Sequence, residues 1–466
     1  MNRRTFLESA GAAAIALPSL ARAAVKPARK PNIVYIIADD LGYGDLGCYG
    51  QKRFATPNID RLATEGLKFT QHYSGSTVCA PSRCVLMTGL HTGHSYIRGN
   101  KEHQPLGQEP IPAGTVTVAK RLKQAGYATG AFGKWGLGYP GSEGDPVRQG
   151  FDEFFGYNCQ RSAHRYYPDF LWHNDRKVDL DGKTYSHTLI MKAALDFIRR
   201  HKAGPFFCFM PVTIPHAAMQ APEEYVAPFR KTFAEFEDTV GTYAGTETKN
   251  PVATFAGMMT VLDQGVGQVL ALLKELGLDE NTIVMFTSDN GPHREGGHKP
   301  EFFDSNGPLT GLKRDLTEGG IRVPMLARWP GRIAPGTVTD HLSAFWDVMP
   351  TLCDLAGAAP PADIDGLSFL PTLLGQADGQ RQHTYLYWEF YEYGGKRAVR
   401  RGKWKAIQHN LQKKPTPLVL YDLETDLAEQ NDVAADHPDV VKEMERIFAE
   451  AHTPSAIWQF GGIQGG

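Results

Sequence analysis

A cysteine, a proline and an arginine lie within five residues at Cys79-Ala80-Pro81-Ser82-Arg83, a spacing that could support nucleophilic chemistry on an anion. Pro81 favours the first turn of a helix, where its missing N–H costs nothing. A helix beginning here directs free backbone N–H groups and its positive dipole end at Cys79. Arg83 could hold an anionic oxygen through two hydrogen bonds. The segment predicts a nucleophile beside an anion-binding position; the alternative is a buried thiol before an ordinary helix.

Two apolar runs end in pairs of oxygen-bearing side chains. Residues 32–38 lead to Asp39 and Asp40, and residues 282–288 lead to Asp289 and Asn290. Such runs are typical of strands covered on both faces of a parallel sheet, although short buried helices have the same pattern. The carboxyl ends of parallel strands meet at one edge, so the four side chains would converge there. Hard oxygen ligands suit Ca²⁺ better than zinc or copper, while each residue taken singly is also an ordinary turn or cap residue.

Further strands and helices alternate along the chain, which indicates an α/β fold. Residues 128–132 form a strand that delivers Lys134, and residues 205–210 form one that runs toward His216. Helical patterns cover residues 58–65, 116–125, 187–200 and 253–276. We therefore expect a large mixed, mostly parallel sheet flanked by helices in a catalytic domain at residues 30–374.

The sequence pattern changes after residue 374 to short aromatic-rich segments, and residues 375–380 are predicted to be a linker. Short strands are predicted at 384–391, 396–400, 404–407 and 419–422, followed by a helix at 438–451. These elements predict a small C-terminal antiparallel-sheet subdomain at residues 380–459. The glycine-rich end, 460–466, is expected to fray.

Composition excludes several classes of protein. The 466 residues carry a formal charge of −2 and are 42% hydrophobic, as in an ordinary globular protein, and nothing in the charge indicates a nucleic-acid partner. The six cysteines lack a framework pattern, so a disulfide-built fold is not expected. Cys84 has no second cysteine or histidine pair nearby at ligand spacing, which argues against zinc.

The N-terminus resembles an export signal. Arg3 and Arg4 precede a Gly/Ala-rich apolar segment that ends at the triplet 21–23, a pattern similar to twin-arginine signals over residues 1–23. No later run approaches about 18 apolar residues, so no stable membrane span is expected. The sequence predicts a periplasmic or secreted protein, with a membrane anchor or another secretory signal as the alternative.

The cysteine segment and the two acidic pairs together resemble the type I sulfatases of the alkaline phosphatase superfamily. The resemblance implies that a maturation enzyme, formylglycine-generating or equivalent, oxidises Cys79 to Cα-formylglycine, whose hydrated aldehyde attacks the sulfur of a sulfate ester. Export of folded protein would let this oxidation occur first, in the cytoplasm. The resemblance also implies that one calcium ion is bound jointly by a formylglycine oxygen, the substrate sulfate and four side chains. These are Asp39, Asp40, Asp289 and Asn290.

Two further segments are similar to the family's catalytic segments, with one departure. Lys134 lies in Gly-Lys-Trp-Gly-Leu-Gly and would hold sulfate, but Gly136 stands where the family has a histidine that helps to expel sulfate. We consider His164 and His293 as replacements. His216 and Lys313 match the family's second histidine and second lysine, which implies that they protonate the departing alcohol and bind its bridging oxygen.

The substrate is predicted from polar and aromatic loops near the same sheet edge. They supply Arg98, Asn100, His164 and His293 as substrate-binding candidates, a mixture that suits sugar hydroxyls. These segments resemble bacterial carbohydrate sulfatases acting on galactose or N-acetylgalactosamine sulfates, which implies an exo-acting enzyme with a sulfated carbohydrate substrate. Two alternatives remain at this point: a phosphodiester or phosphonate monoester hydrolase of the same superfamily, and a catalytically inactive protein that binds sulfated glycans.

Overall fold

Strands and helices alternate along residues 29–461, the part of the chain that the structure, a computed structural model, describes. The predicted export signal at 1–23 and residues 462–466 lie outside this range. The strands are, in chain order, β1 (Asn32–Ala38), β2 (Leu67–Tyr73), β3 (Glu102–His103), β4 (Gly107–Gln108), β5 (Ala128–Lys134), β6 (Glu153–Tyr157), β7 (Phe170–His173), β8 (Arg176–Asp179), β9 (Phe206–Pro211), β10 (Val240–Tyr243), β11 (Thr246–Lys249), β12 (Thr282–Ser288), β13 (Arg322–Arg328), β14 (Thr337–Thr339), β15 (Ser343–Ala344), β16 (Leu386–Phe390), β17 (Lys396–Arg401), β18 (Trp404–His409) and β19 (Val419–Asp422). The helices are α1 (Pro57–Thr64), α2 (Cys79–Thr88), α3 (Val118–Gln124), α4 (Ser186–His201), α5 (Glu223–Thr232), α6 (Pro251–Glu275), α7 (Pro300–Phe303), α8 (Glu318–Ile321), α9 (Val348–Ala356), α10 (Leu370–Leu373) and α11 (Pro438–Glu450).

Eleven strands form one sheet, in the order β14-β2-β13-β12-β1-β9-β5-β6-β7-β8, with β15 also paired to β2. The five central strands, from β12 to β6, are parallel to one another. Strands β13 and β7 run antiparallel to their neighbours. The predicted large mixed, mostly parallel sheet is confirmed, and the carboxyl ends of β1, β5, β9 and β12 share one edge.

Both faces of this sheet are covered by helices. Along β1, the odd-numbered residues from 33 to 37 belong to one hydrophobic core, which also contains residues of α2, α3 and α9. The even-numbered residues from 34 to 38 belong to the other core, formed with α1, α4, α5 and α6. Because side chains alternate between the two faces and both faces are buried, residues 33–38 of this strand form an unbroken hydrophobic run.

The C-terminal strands β16 to β19 form a four-stranded antiparallel sheet. One face of this sheet packs against α11 through residues that include Tyr387 and Phe448. The other face, including Leu386 and Trp388, belongs to the core that α2 shares with the large sheet. The predicted antiparallel sheet with a helix is confirmed, and it is joined to the main domain by a continuous apolar core.

One helix begins later than the sequence predicts. The helix predicted at 116–125 begins at Val118, because the Thr117 side chain accepts a hydrogen bond from the Lys120 N–H and caps it. The helix predicted to begin at the Cys79 segment is present as α2, and all ten of its residues are buried. Helix α6 is long and apolar enough to span a membrane by length and composition, but 72% of its most apolar window is buried inside the fold. Among the described residues, α6 is therefore a core helix.

Candidate active site

The two acidic pairs meet at the carboxyl ends of β1 and β12. These strands are parallel neighbours in which Ala38 lies opposite Ser288, so the residues that follow them emerge side by side. The Asp40 N–H donates to Asp289 Oδ1 at 3.1 Å, and Asn290 Nδ2 donates to Asp40 Oδ1 at 2.7 Å. All four side chains are fully buried. The structure therefore brings Asp39, Asp40, Asp289 and Asn290 into one cluster.

Cys79 is the first residue of α2 and lies against this cluster. Its Sγ is 3.3 Å from Asp39 Oδ1, 4.0 Å from Asp40 Oδ1 and 3.4 Å from Lys134 Nζ. The residue before it, Val78, provides no side-chain cap, so Cys79 lies at the N-terminus of a helix whose positive dipole end favours an anion. Burial and the adjacent carboxylates raise the pKa of the Cys79 thiol well above its usual range, so the unmodified side chain is a neutral thiol.

Three buried cations match the three carboxylates. Arg83 donates to Asp289 Oδ2 at 2.8 Å, Lys134 to Asp39 Oδ2 at 2.7 Å, and Lys313 to Asp40 Oδ2 at 2.8 Å. Burial alone would raise the carboxyl pKa values, but Lys134 and Lys313 outweigh it and lower the pKa of Asp39 and of Asp40 respectively. Asp39 and Asp40 are therefore ionised at neutral pH, while burial and Asp39 raise the pKa of Asp289 to about 6 despite the neighbouring Arg83.

The donor set fits a hard divalent cation. Three carboxylates and one amide surround Cys79, and Asn290 Oδ1 has no hydrogen-bond partner within residues 29–461 although it is fully buried. One potential ligand atom from each of Asp39, Asp40, Cys79 and His216 lies within 4.8 Å of the others, a group that contains Asp39 and Asp40 but not Asp289. Oxygen donors predominate, as Ca²⁺ requires. The three cations already neutralise the carboxylates, so a divalent ion would leave an excess positive charge that favours an anion.

His216 and Lys313 lie on the other side of Asp40. Lys313 Nζ is 3.1 Å from His216 Nε2 and 3.1 Å from Glu295 Oε2. His216 Nδ1 contacts the Ala217 carbonyl, which can only accept, so Nδ1 carries the proton of the neutral ring and Nε2 faces Lys313 with a lone pair. Burial and Lys313 lower the pKa of His216, whereas Asp40 raises that of Lys313 despite burial. The mobile proton of this pair therefore resides on Lys313.

Gly136 has a structural reason to lack a side chain. Its φ is +81°, and a Cβ atom there would lie 2.8 Å from Gln160 Nε2 and 2.9 Å from Gln160 Cγ. Gln160 thus occupies the space that a histidine at position 136 would enter. The buried Nε2 of Gln160 has no hydrogen-bond partner in the described part of the chain.

The two histidines considered as replacements have different surroundings. His164 stacks on His216 with a centroid separation of 4.8 Å, and burial together with Lys134 lowers its pKa to about 4. His293 accepts the Glu295 N–H at Nδ1, at 2.9 Å, and its Nε2 lies 3.4 Å from the Pro215 carbonyl. Both His293 nitrogens are therefore engaged with the backbone, whereas the structure records no such hydrogen bond for the His164 ring among the described residues.

The two remaining substrate-binding candidates separate. Asn100 lies beside the cluster, where its Oδ1 accepts the Ala80 N–H at 3.4 Å. Arg98 is buried and pairs with Glu389 at 3.3 Å, and it also donates to the Thr453 carbonyl at 2.8 Å. Its recorded contacts connect the main domain to the C-terminal region, because Glu389 is a buried carboxylate that requires a cation. The structure therefore does not bring Arg98 into the cluster.

Sequence reasoning missed three polar residues of the site, which are Glu295, Arg314 and Gln160. Glu295 bridges Lys313 and Arg314, with 2.5 Å between Glu295 Oε1 and Arg314 Nη2, and Gln160 fills the space beside Gly136. The signals available were the position of Glu295 two residues after His293 and the glycine at 136, which implies that another side chain fills the gap.

The chain was compared with known protein families. Residues 31–358 match the family described as "Sulfatase", and residues 312–453 match the one described as "N-sulphoglucosamine sulphohydrolase, C-terminal". Together these matches cover the large sheet and the C-terminal sheet.

Individual relatives agree with the family matches. The N-acetylgalactosamine-6-sulfatase of Rattus norvegicus is 35% identical over 395 residues, which cover 77% of this chain and 68% of that protein. Arylsulfatase A of Homo sapiens is 36% identical over 392 residues, covering 81% of this chain and 75% of that protein. The crystal structure of Ps i-CgsB in complex with k-i-k-neocarrahexaose has a TM-score of 0.78 and 29% identity, covering 93% of this chain and 95% of that chain.

Proposed function

The chain belongs to the sulfatase family and is a sulfuric ester hydrolase, and we propose that it acts on the terminal galactose or N-acetylgalactosamine sulfate of a glycan. The galactosamine sulfatase among its relatives and the neocarrahexaose complex of a structural neighbour support a sugar substrate. The observation that carries the proposal is the pair of buried ammonium groups, Lys134 and Lys313, which lie on either side of the Cys79 cluster. Lys134 is placed to bind a sulfate oxygen beside the nucleophile, and Lys313 is placed to bind the oxygen of the leaving alcohol.

The chemistry at Cys79 depends on two groups that the family generally uses. Calcium held by Asp39, Asp40, Asp289 and Asn290 would polarise the S–O bonds, and formylglycine made from Cys79 by a maturation enzyme would supply a hydroxyl nucleophile. Lys134 orients a sulfate oxygen beside the nucleophile, since its ammonium lies 3.4 Å from Sγ and is fixed by Asp39 at 2.7 Å. Arg83 keeps Asp289 ionised and in place through its 2.8 Å hydrogen bond.

The leaving group is protonated from the Lys313 side. As the bond between sulfur and the sugar oxygen breaks, its electron pair remains on the sugar oxygen. This oxygen takes a proton from Lys313, and the sugar departs as an alcohol. Neutral His216 accepts a hydrogen bond from Lys313 at 3.1 Å and holds the ammonium in place, while Glu295 and Asp40 stabilise its charge. The sugar therefore lies on the solvent side of Lys313 and His216.

Release of sulfate requires a base for the remaining hydroxyl of the nucleophile, and we assign His164. Burial, Lys134 and Lys313 lower its pKa to about 4, so the ring is neutral at pH 7 and has a nitrogen that can accept a proton. Lys134 and Asp39 beside the nucleophile, and Lys313 and Glu295 beside the leaving group, all shift this pKa, which supports a position close to both sides of the site. Asn100, beside Ala80, is assigned to the substrate.

Export is proposed from the sequence of residues 1–23. A twin-arginine signal would carry the folded and already modified protein to the periplasm or the exterior, where sulfated polysaccharides are accessible. Fusion of residues 1–23 to a reporter tests this point: we expect export that is lost when both arginines are changed to lysine. Export that survives the change would contradict a twin-arginine signal.

The activity is tested with a panel of defined esters. We expect sulfate release from galactose or N-acetylgalactosamine sulfates with a higher kcat/KM than hydrolysis of bis(4-nitrophenyl) phosphate or a phenyl phosphonate ester. Disaccharides sulfated on one residue only distinguish terminal from internal action, and Cys79→Ala is the inactive control.

Two outcomes of this panel would contradict the proposal. Faster hydrolysis of the phosphodiester or phosphonate would indicate the other reaction of the superfamily. Binding of sulfated sugars without turnover, by protein from its native host whose Cys79 is unmodified, would indicate an inactive glycan-binding protein.

A further inference from the structure

Tyr393 is the most exposed large hydrophobic side chain among residues 29–461, at 71% of its surface. It lies in the turn between β16 and β17 of the C-terminal sheet. A single exposed aromatic residue is common and needs no explanation. Tyr393 is of functional interest because of its position relative to the active site.

Tyr393 and its neighbour Arg314 both have an unfavourable backbone conformation. Their φ angles are +53° and +79°, values that residues other than glycine seldom adopt. The Arg314 guanidinium carbon lies 5.6 Å from the centre of the Tyr393 ring. Such conformations persist only when the surrounding contacts hold them, and they cluster at ligand sites.

Contacts to the main domain fix this turn. Glu392 accepts the Asn100 N–H at 3.0 Å, and Lys396 donates at 3.0 Å to both the Arg314 carbonyl and Asp315 Oδ1. These hydrogen bonds anchor the turn to the main domain on both sides of Tyr393.

Two chains of contacts connect the turn to the reacting centre. Arg314 binds Glu295 at 2.5 Å, and Glu295 binds Lys313, the residue next to the leaving oxygen, at 3.1 Å. On the other side, Asn100 joins Glu392 to the first turn of the helix that carries Cys79. The turn is thus connected both to the Lys313 side of the site and to the first turn of the helix that carries Cys79.

We propose that Tyr393 and Arg314 form a sugar-binding subsite that the C-terminal sheet contributes to the active site. The apolar C–H face of a pyranose ring packs on the exposed tyrosine ring, and sugar hydroxyls accept hydrogen bonds from Arg314. Arg314 has donors to spare, since its side chain bonds only Glu295, through Nη2, within the described range. This inference rests on the proposed function and adds the element that selects a sugar over a small aryl alcohol.

The test compares two substrates in Tyr393→Ala and Tyr393→Phe. The substrates are a sulfated galactose oligosaccharide and 4-nitrophenyl sulfate, which has no pyranose ring. In Tyr393→Ala we expect kcat/KM for the oligosaccharide to fall about tenfold more than for the aryl sulfate, mainly through KM. Tyr393→Phe keeps the ring and retains most of the selectivity for the sugar. Tyr96→Ala, which removes another exposed aromatic beside a separate cavity, is the matched control.

Equal losses on both substrates, or no loss on the sugar, would overturn the subsite. Failure of the proposed function is recognised separately, because wild-type protein would then release no sulfate from the oligosaccharide. Calorimetry with the Cys79→Ala protein and the same oligosaccharide still tests the subsite in that case. We expect weaker binding when Tyr393→Ala is added, and unchanged affinity would overturn the assignment.

Discussion

Asp39 and Asp40 are adjacent in the sequence but serve opposite sides of the active site. Asp39 contacts Cys79 and Lys134, whereas Asp40 contacts Asn290 and Lys313. Asp40 has a φ of +64°, and one carboxylate oxygen of Asp39 and one of Asp40 lie within 4.8 Å of each other. The dipeptide therefore contacts the cations on both sides of the site while its two carboxylates stay close enough to share one metal ion.

Asp39→Ala should lose both metal and activity. The substitution removes a carboxylate oxygen from the cluster and leaves Lys134 unpaired, so we expect the bound calcium to fall from one ion per chain to near zero and turnover to fall at least about 10²-fold. Metal analysis of the purified protein measures the first effect. Asp145→Ala, which removes another buried carboxylate elsewhere, is the control. Full activity after chelation of all calcium and magnesium would contradict the site.

His164→Ala should separate alcohol release from sulfate release. If His164 is the base, attack survives and the later step slows by about 10²–10⁴-fold. Rapid-mixing kinetics with 4-nitrophenyl sulfate should then show a burst of nitrophenolate followed by slow turnover. His293→Ala is the comparison, because both nitrogens of His293 are engaged with the backbone. A rise in KM without a burst would indicate that His164 contacts the substrate and is not the base.

At the scale of elements, strand ends were predictable and loop contacts were not. Apolar runs followed by pairs of oxygen-bearing side chains predicted β1, β12 and their common edge, because strands that are buried on both faces consist mainly of apolar residues. Arg98 shows the limit of this reasoning, since a polar residue in a loop fits a substrate as well as a buried ion pair. Its partner Glu389 lies 291 positions away, so only the fold could reveal the pairing.

The loop after β5 shows a second limit of sequence reasoning. A glycine at position 136 signals that a histidine is absent but does not say what fills the space. Gln160 fills it from a different loop, after β6. Tyr393 is a similar case, because its approach to Arg314 depends on how the C-terminal sheet docks on the main domain.

Gly136→Ala tests the packing of these two loops. We expect it to lower the free energy of unfolding by about 1–2 kcal/mol, because the residue has a positive φ. Contact with Gln160 should add to this cost, so the penalty should be at least about 0.5 kcal/mol smaller in a Gln160→Ala background. Urea denaturation of the four proteins of this cycle measures the difference. Strictly additive effects would show that Gln160 does not occupy the space.

At the scale of the whole molecule, folding buries histidines that carry no charge. Burial lowers the pKa of His187 to about 4, and that of His72 to about 3. Both ring nitrogens of His187 are without partners among residues 29–461. In the unfolded chain these side chains have a pKa of about 6.5, so below that pH the folded state binds fewer protons than the unfolded chain does.

Stability should therefore fall as the pH drops from about 7 toward 4. The pKa of each histidine is lower in the folded state than in the unfolded chain, so each one destabilises the fold once the pH falls below the unfolded-state pKa. Between pH 7 and pH 5 each should lower the free energy of unfolding by about 2 kcal/mol. Urea unfolding of wild type and His187→Leu at both pH values measures this slope, which should be shallower in the variant. His201→Leu, which removes a partly exposed histidine from the end of the same helix, is the matched control. An unchanged slope in His187→Leu would contradict the account.

The chemical state of residue 79 in active protein tests the central claim most directly. The tryptic peptide 69–83 from a preparation that hydrolyses sulfate esters should be measured by mass spectrometry. We predict that it is lighter than the cysteine form by the difference between H₂S and oxygen, as an aldehyde, together with its hydrate. Recovery of the free thiol alone from a fully active preparation would contradict the account.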